Sequence, residues 1–248
     1  MKMKHILNFS FSLCFLLMLT LAQAQEKPTV KSDSLQVADS IPVKKDRYGL
    51  RVGVDLFKFT RGFYDKNYKG IELTADFRWN KKYYLAAELG NENKTTEDDR
   101  LTSNSKGSYL KAGFDYNMYE NWLDMENIIS IGLRYGFSTF SQELYSYKIY
   151  NPNPYWGELP PIPATQQYNG LSASWIEVVT GMKAKMFNNV FVGFSVQLKT
   201  LVTNKKPEGF DNLYIPGFNR TYNGSFGIGF NYSVTYFIPL YKKKVVAK

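Results

Sequence analysis

Eight stretches of this chain alternate strictly between large apolar residues and small or charged ones, a period of two that β-strands display as two opposite faces. The first sets Tyr48, Leu50, Val52, Val54 and Leu56 against Gly49, Arg51, Gly53 and Asp55. The apolar faces of the others begin at Ile71, Tyr83, Leu110, Ile129, Ile176, Val190 and Phe226, the last running on to Leu240. Eight such strands fit either a soluble barrel or sandwich with the greasy face inward, or a membrane barrel with that face toward lipid.

The polar faces decide between them. They carry Arg51, Arg78, Lys111, Arg134, Lys183 and Lys199 against Asp55, Glu72, Asp76, Glu88, Asp115 and Glu177, interleaved with Gly, Ala and Ser. A solvated strand gains nothing from glycine, which weakens it and packs nothing. Inside a narrow barrel, small residues make room for long charged ones, and equal numbers of each sign let every inward charge find a partner. The residues therefore predict an all-β, eight-stranded antiparallel transmembrane β-barrel over 48–241, its lumen filled by those twelve charged side chains. The alternative is a soluble, lipocalin-like binder.

Connection lengths point the same way, because outer-membrane barrels have short periplasmic turns and long outer loops. The connections at 80–82, 119–127 and 185–189 are read as the turns and those at 60–67, 91–106, 139–170 and 203–223 as the loops, although 119–127 at nine residues is no shorter than 60–67 at eight. Turns and loops alternate, which places the N- and C-termini together on the short-turn, periplasmic side.

The front of the chain reads as an export signal over 1–24: basic Lys2 and Lys4, an apolar run from Ile6 to Leu21, then Ala22-Gln23-Ala24. The run is broken by Asn8, Ser10 and Ser12 and is short for a helical span of about 20 residues. Cys14 sits mid-run and does not make a lipoprotein signal. A polar leader over 25–47 has too little apolar surface to order itself, and a basic tail occupies 242–248. These features predict the outer membrane of a Gram-negative envelope.

Cys14 and His5 are the chain's only cysteine and histidine, and both leave with the signal. The mature chain is thereby deprived of disulfides, thiolate or histidine catalysis, and histidine or cysteine metal sites. No cofactor or metal is expected. Removing the signal with Lys2 and Lys4 leaves a net charge of +7, all of it in the leader, the 80–82 turn and the tail. No basic stripe with stacking aromatics is left for nucleic acid.

The segments Ser174-Trp175-Ile176-Glu177, Asn189-Val190-Phe191-Val192-Gly193-Phe194-Ser195, Tyr214-Ile215-Pro216-Gly217-Phe218 and Asn231-Tyr232-Ser233-Val234, with the signal and the eight strands, are the basis of a family likeness. Together they resemble a domain-of-unknown-function family of small outer-membrane β-barrel proteins, over nearly all of the mature chain. The resemblance implies the location and the barrel, and transfers no catalytic residue. Where many barrels end on an aromatic residue, Tyr241 is here followed by 242–248, which leaves the assembly signal internal.

Three function classes follow. Enzymatic chemistry would rest on lumen carboxylates such as Glu72 and Asp76, whose plainer role is to pair with Arg51, Arg78 or Arg134. A channel needs more room than eight strands enclose once twelve long side chains point inward. Recognition by the outer loops remains. The 139–170 connection holds Tyr150, Tyr155 and Trp156 among five prolines, and the last loop adds Tyr214 and Phe218. These rings form the expected contact set for an extracellular glycan, peptide or protein, with membrane lipid as the other partner. The alternative is that they pack on one another and anchor at the lipid headgroups, in an envelope-structural protein. Ligand identity and oligomeric state are not legible in the residues.

Overall fold

The computed structural model describes residues 44–120, 126–150, 152, 155, 157, 159–220 and 224–245. The export signal and most of the leader, the tail's last three residues and Trp156 lie outside the described residues. Eight strands, β1 (Lys44–Asp55), β2 (Tyr68–Arg78), β3 (Tyr83–Asp98), β4 (Leu101–Asn117), β5 (Ile128–Tyr147), β6 (Ile162–Phe187), β7 (Val190–Asn204) and β8 (Phe226–Val245), pair in sequence order. Every pair is antiparallel, and β8 returns to β1 to close the barrel.

Closure follows from the surroundings. In hydrocarbon an unpaired backbone N–H or C=O has no water to turn to, so a spanning sheet can leave no edge. The apolar faces named above do point outward: Leu73, Leu89, Leu110, Leu133, Ile176, Leu198 and Ile228 are all exposed at the barrel's outer surface. The chain is a transmembrane β-barrel.

The outer faces change character along the strands. Leu89, Leu110 and Phe137 stand side by side on β3, β4 and β5. Two residues farther from the short turns, the outward row across β3 to β6 becomes Asn91, Ser108, Thr139 and Ser172, again neighbours in register. Inside, Tyr109, Phe140, Leu171, Ala173 and Trp175 form a buried cluster with Ile215 and Phe218 around the level of that row, with Trp175 as far down as Lys111. Beyond the row the buried inward residues are mixed, Phe140 and Leu144 alternating with Gln142 and facing Ser103, Ser105 and Glu92. The barrel is thus greasy outside and charged inside within the membrane, and polar outside beyond it.

The polar outer row corrects the expected loops. The connection expected over 91–106 is mostly strand, since β3 runs to Asp98 and β4 starts at Leu101. The expected 139–170 loop contracts to 148–161, because β5 and β6 continue past the lipid with Phe140, Gln142 and Leu144 still buried. An alternation defined by outward grease ends where the outer face turns polar. At the short-turn end the ladder also extends: residues 44–47 pair with 242–245, so the leader gives up its last four residues and the tail its first four.

The 60–67 connection is largely a helix, α1 (Leu56–Tyr64). Asp55 caps it, its Oδ1 accepting the Phe57 N–H at 2.7 Å. Leu56, expected as the last outward residue of the first strand, begins this helix instead. Phe57, Lys58 and Arg61 turn toward the barrel while Phe59, Phe63 and Tyr64 stay exposed.

A charge on the lipid belt and one just above it should differ sharply. Leu133→Arg is expected to cost about 2–4 kcal/mol, and Thr139→Arg, three turns of the alternation higher on the same outer face, to stay within about 0.5 kcal/mol. Urea unfolding in lipid vesicles measures both, and equal costs would show that the boundary is misplaced.

Candidate functional site: the lumen and its outer mouth

The inward charges pair in layers. Nearest the short turns, Asp76 accepts from Arg51 at 2.5 Å and from Lys183, while the Arg51 guanidinium lies over the rings of Tyr84 and Phe191 at 4.8 and 5.4 Å. Arg78 sits half-buried at the rim, donating to the Arg47 carbonyl at 2.8 Å above the Tyr48 ring. At mid-height Arg134 forks onto Asp115 at 2.7 and 3.0 Å and donates from Nε to Glu88 at 2.9 Å. Gly132 makes this fork possible, since a Cβ there would collide with the Asp115 carboxylate. Lys111 lies 2.9 Å from Glu88, 3.4 Å from Glu72 and 3.6 Å from Glu177. Glu177 also takes the Trp175 indole N–H at 2.6 Å and lies 3.4 Å from Lys199.

All twelve sequence-derived lumen residues are therefore inside. Glu72 and Asp76, weighed together as an acid–base pair, belong to separate ion clusters with different cations. Among these side chains the open space in the lower lumen is about 40 Å³, little more than the roughly 30 Å³ share of one water in the liquid.

Higher up, two residues that the alternation had not included complete the network. Lys58, from α1, reaches Glu72 at 2.8 Å and Glu92 at 2.7 Å, and donates to the Tyr109 hydroxyl, which in turn donates to Glu72 at 2.6 Å. Burial pulls the Lys58 pKa down, but the Glu72 and Glu92 carboxylates outweigh it and hold the ammonium well above the usual lysine range. Glu92 lies two residues beyond Gly90 on the same face. Continuing the polar alternation one step would have found it.

Glu92 is also the anchor of the last outer loop. It accepts from Tyr68 at 3.1 Å, Tyr214 at 2.7 Å and the Gly217 N–H at 3.0 Å. Lys199 donates to the Gly217 carbonyl at 2.8 Å. The segment from Tyr214 to Asn219 turns tightly into the mouth, with Gly217 at φ +82° against the Tyr109 ring, where any Cβ would clash. Phe218 meets Trp175 edge-on at 5.8 Å. Tyr214 and Phe218, expected to offer rings to a ligand, are buried, because the loop folds inward to cap the charged lumen. Tyr150 and Tyr155 are exposed, Tyr155 by 82%, and Arg100 lies over the Tyr150 ring at 4.4 Å.

Beside this plug a cavity of about 510 Å³ remains at the outer mouth. Its walls include Asp55, Lys58 and Arg61 around the start of α1, Tyr68 and Glu72 of β2, Lys94 of β3, Lys199 of β7, Tyr214, Arg220, and 228–231 of β8.

A family model described as "Domain of unknown function (DUF6048)" matches residues 6–243. The chain belongs to this DUF6048 family. Among solved structures, that of Ail, the attachment invasion locus protein of Yersinia pestis, is similar at 10% identity over 77% of this chain and 97% of Ail, with a TM-score of 0.40. No curated protein matches in sequence. Family membership brings no assigned activity, so the DUF6048 barrel has to be read from its own geometry.

Two outcomes test this geometry. Glu92→Gln keeps the shape but removes the charge that Lys58, two tyrosines and the Gly217 N–H converge on, so it should cost about 1.5–3 kcal/mol and expose 205–225 to protease. Unchanged unfolding and digestion would contradict the anchoring role. At the corner after α1, burial pushes the Asp65 carboxyl up, but hydrogen bonds and charge from Lys94, with Arg61, outweigh it and hold the pKa below the ordinary aspartate value. The stabilisation is therefore complete above that ordinary value and drains away as pH falls through the lower, folded one. A carboxyl-carbon NMR titration should show the lowered midpoint in wild type and an upward return in Lys94→Gln. Identical midpoints would refute the pairing.

Proposed function

We propose that this protein is a non-catalytic recognition element of the outer membrane, held with both termini in the periplasm and with its lumen closed to conduction. The observation that carries this reading is the outer sheet. The extensions of β3 to β6 rise past the lipid belt with polar outer faces, which suits a surface built for water and for a partner. The export signal read from 1–24 and the pairing of both chain ends at the short-turn end support the orientation.

Two features of the outer sheet support contact with an external molecule. Tyr145, Tyr147, Tyr150 and Tyr155 place four rings around the 148–161 connection, where flat amphipathic side chains lose little entropy on binding a glycan, a peptide or a protein. Beyond Ala173, the last β6 residue in the β7 ladder, residues 162–171 of β6 pair with β5 on one side and with no strand on the other. That leaves a row of backbone donors and acceptors of the kind an extended partner can join.

Replacing 148–161 by a two-residue Asn-Gly turn should leave the barrel folded, because the β5–β6 ladder supplies its own hydrogen bonds. The shortened protein should still migrate faster unheated than boiled in detergent gels. In a gene-deletion strain it should fail to restore the wild-type phenotype. Full restoration would remove the connection from the function and leave the β6 edge as the remaining contact surface.

A further inference from the structure

The wall of the barrel is incomplete at one place. β1 ends at Asp55, opposite Ser233 of β8, and its last pairing with β2 is Val54 with Leu73. Above that level, among the described residues, Tyr68–Glu72 of β2 pair with β3 alone and 226–232 of β8 with β7 alone. The helix α1 stands in the gap where a strand would be. It leans on β8 through Phe57, whose ring lies 4.4 Å from Phe230 and 5.6 Å from Tyr232, and on β2 through Arg61 over the Tyr68 ring at 4.1 Å. A helix resting on two strand edges by side chains lacks the ladder hydrogen bonds that make the rest of the wall continuous.

The 510 Å³ cavity lies at this gap, and its lining crosses from one side of the wall to the other. It includes lumen groups such as Asp55 and Glu72, and also Ile228 and Phe230, which belong to the lipid-facing row of β8. The cavity therefore lies against a stretch of wall that no strand ladder closes, between lumen carboxylates and the β8 strand whose Ile228 and Phe230 side chains face lipid.

Three interior cations of its lining, Lys58, Lys111 and Lys199, are already held by Glu72, Glu92 and Glu177. The remaining charges are of two kinds. Asp55 and Glu72 are each 1% exposed, and each has one carboxylate oxygen, Oδ2 and Oε1 respectively, that no donor reaches among the described residues. Buried anionic oxygens without a donor are costly, and a primary ammonium is the compact donor that would satisfy both. Arg61, Lys94 and Arg220 supply positive charge from the outer side of the same cavity. Arg61 and Lys94 share Asp65, whereas Arg220 makes no ion pair among the described residues. Cations outside and orphaned carboxylate oxygens inside match a molecule with a phosphate next to an ammonium.

We propose that this cavity binds the headgroup of a phosphoethanolamine lipid, entering sideways from the membrane. The ammonium goes to Asp55 and Glu72, the phosphate to Arg220 with Arg61 and Lys94, and the acyl chains lie along Ile228 and Phe230 on the lipid face. This site is separate from the recognition surface on β5 and β6 and stands without it.

Native mass spectrometry of the mature protein, released from nanodiscs of equal parts phosphatidylethanolamine, phosphatidylglycerol and phosphatidylcholine, tests the proposal. Wild type should retain one phosphatidylethanolamine at least about tenfold over either other lipid. Asp55→Asn, which keeps the helix cap but loses the charge, and Arg220→Ala, at an exposed position, should each lower that retention to the level of phosphatidylcholine. Heat-modifiability in gels checks that both variants are folded. Equal retention of the three lipids, or retention unchanged in folded Arg220→Ala, overturns the site. If soluble O-phosphoethanolamine binds as tightly as short-chain phosphatidylethanolamine, the cavity takes the free headgroup from solution, and entry from the membrane is overturned.

Discussion

Hydrocarbon offers no hydrogen bonds, so a sheet that crosses it must close on itself, and a closed sheet of eight strands leaves a lumen that something must fill. In this protein the filling is ionic. Arg134 forked on Asp115 and tied to Glu88, Lys111 among three glutamates, and Asp76 between Arg51 and Lys183 occupy the space from mid-height to the short-turn end. With Lys58 and Glu92 added, the inward groups number seven of each sign. Each charge is removed from bulk water, so its partner is a condition of folding rather than an ornament of the surface. Gly90, Gly132, Gly136 and Gly229 follow from the same need, since Tyr109, Asp115, Trp175, Gln197 and Lys199 take the volume that a Cβ there would occupy.

Above the lipid the solvent is water, and the outer face need no longer be apolar. The outward row of Asn91, Ser108, Thr139 and Ser172 marks where this happens. The inward cluster around Trp175 sits at about this level and covers the ion network, and the last loop contributes Ile215 and Phe218 to it. Glu92 joins the two regimes, being both a member of the ion network and the acceptor that holds the loop down.

The barrel, its strand number and the twelve inward charges were legible in the sequence because one face of each spanning segment is apolar almost throughout, Thr180 of the sixth being a polar exception. What lay beyond the lipid was not. At Asn91 and Thr139 the outward residues turn polar, and a pattern defined by outward grease stops there although the ladder goes on. Glu92 was readable as the next polar-face residue after Glu88 and Gly90. Lys58 was hidden in a nine-residue helix, shorter than a helical period can announce, for which the Asp55 cap was the available signal. The inward fold of Tyr214 and Phe218 depends on contacts with Glu92, Tyr109 and Trp175, all remote in sequence, so aromatic composition alone suggested an exposed loop.

The claim on which the rest depends is that opposite charges in the lumen stabilise one another directly, through pairs shielded from water. A double-mutant cycle on Arg134 and Asp115, with each changed to Ala singly and together and unfolding followed in lipid vesicles, measures this coupling. The account predicts a coupling of about 1.5 kcal/mol or more, with the double variant less damaged than the two single variants taken together. Costs that add to within about 0.5 kcal/mol would mean that each group is solvated independently, and the lumen would then have to be an aqueous one.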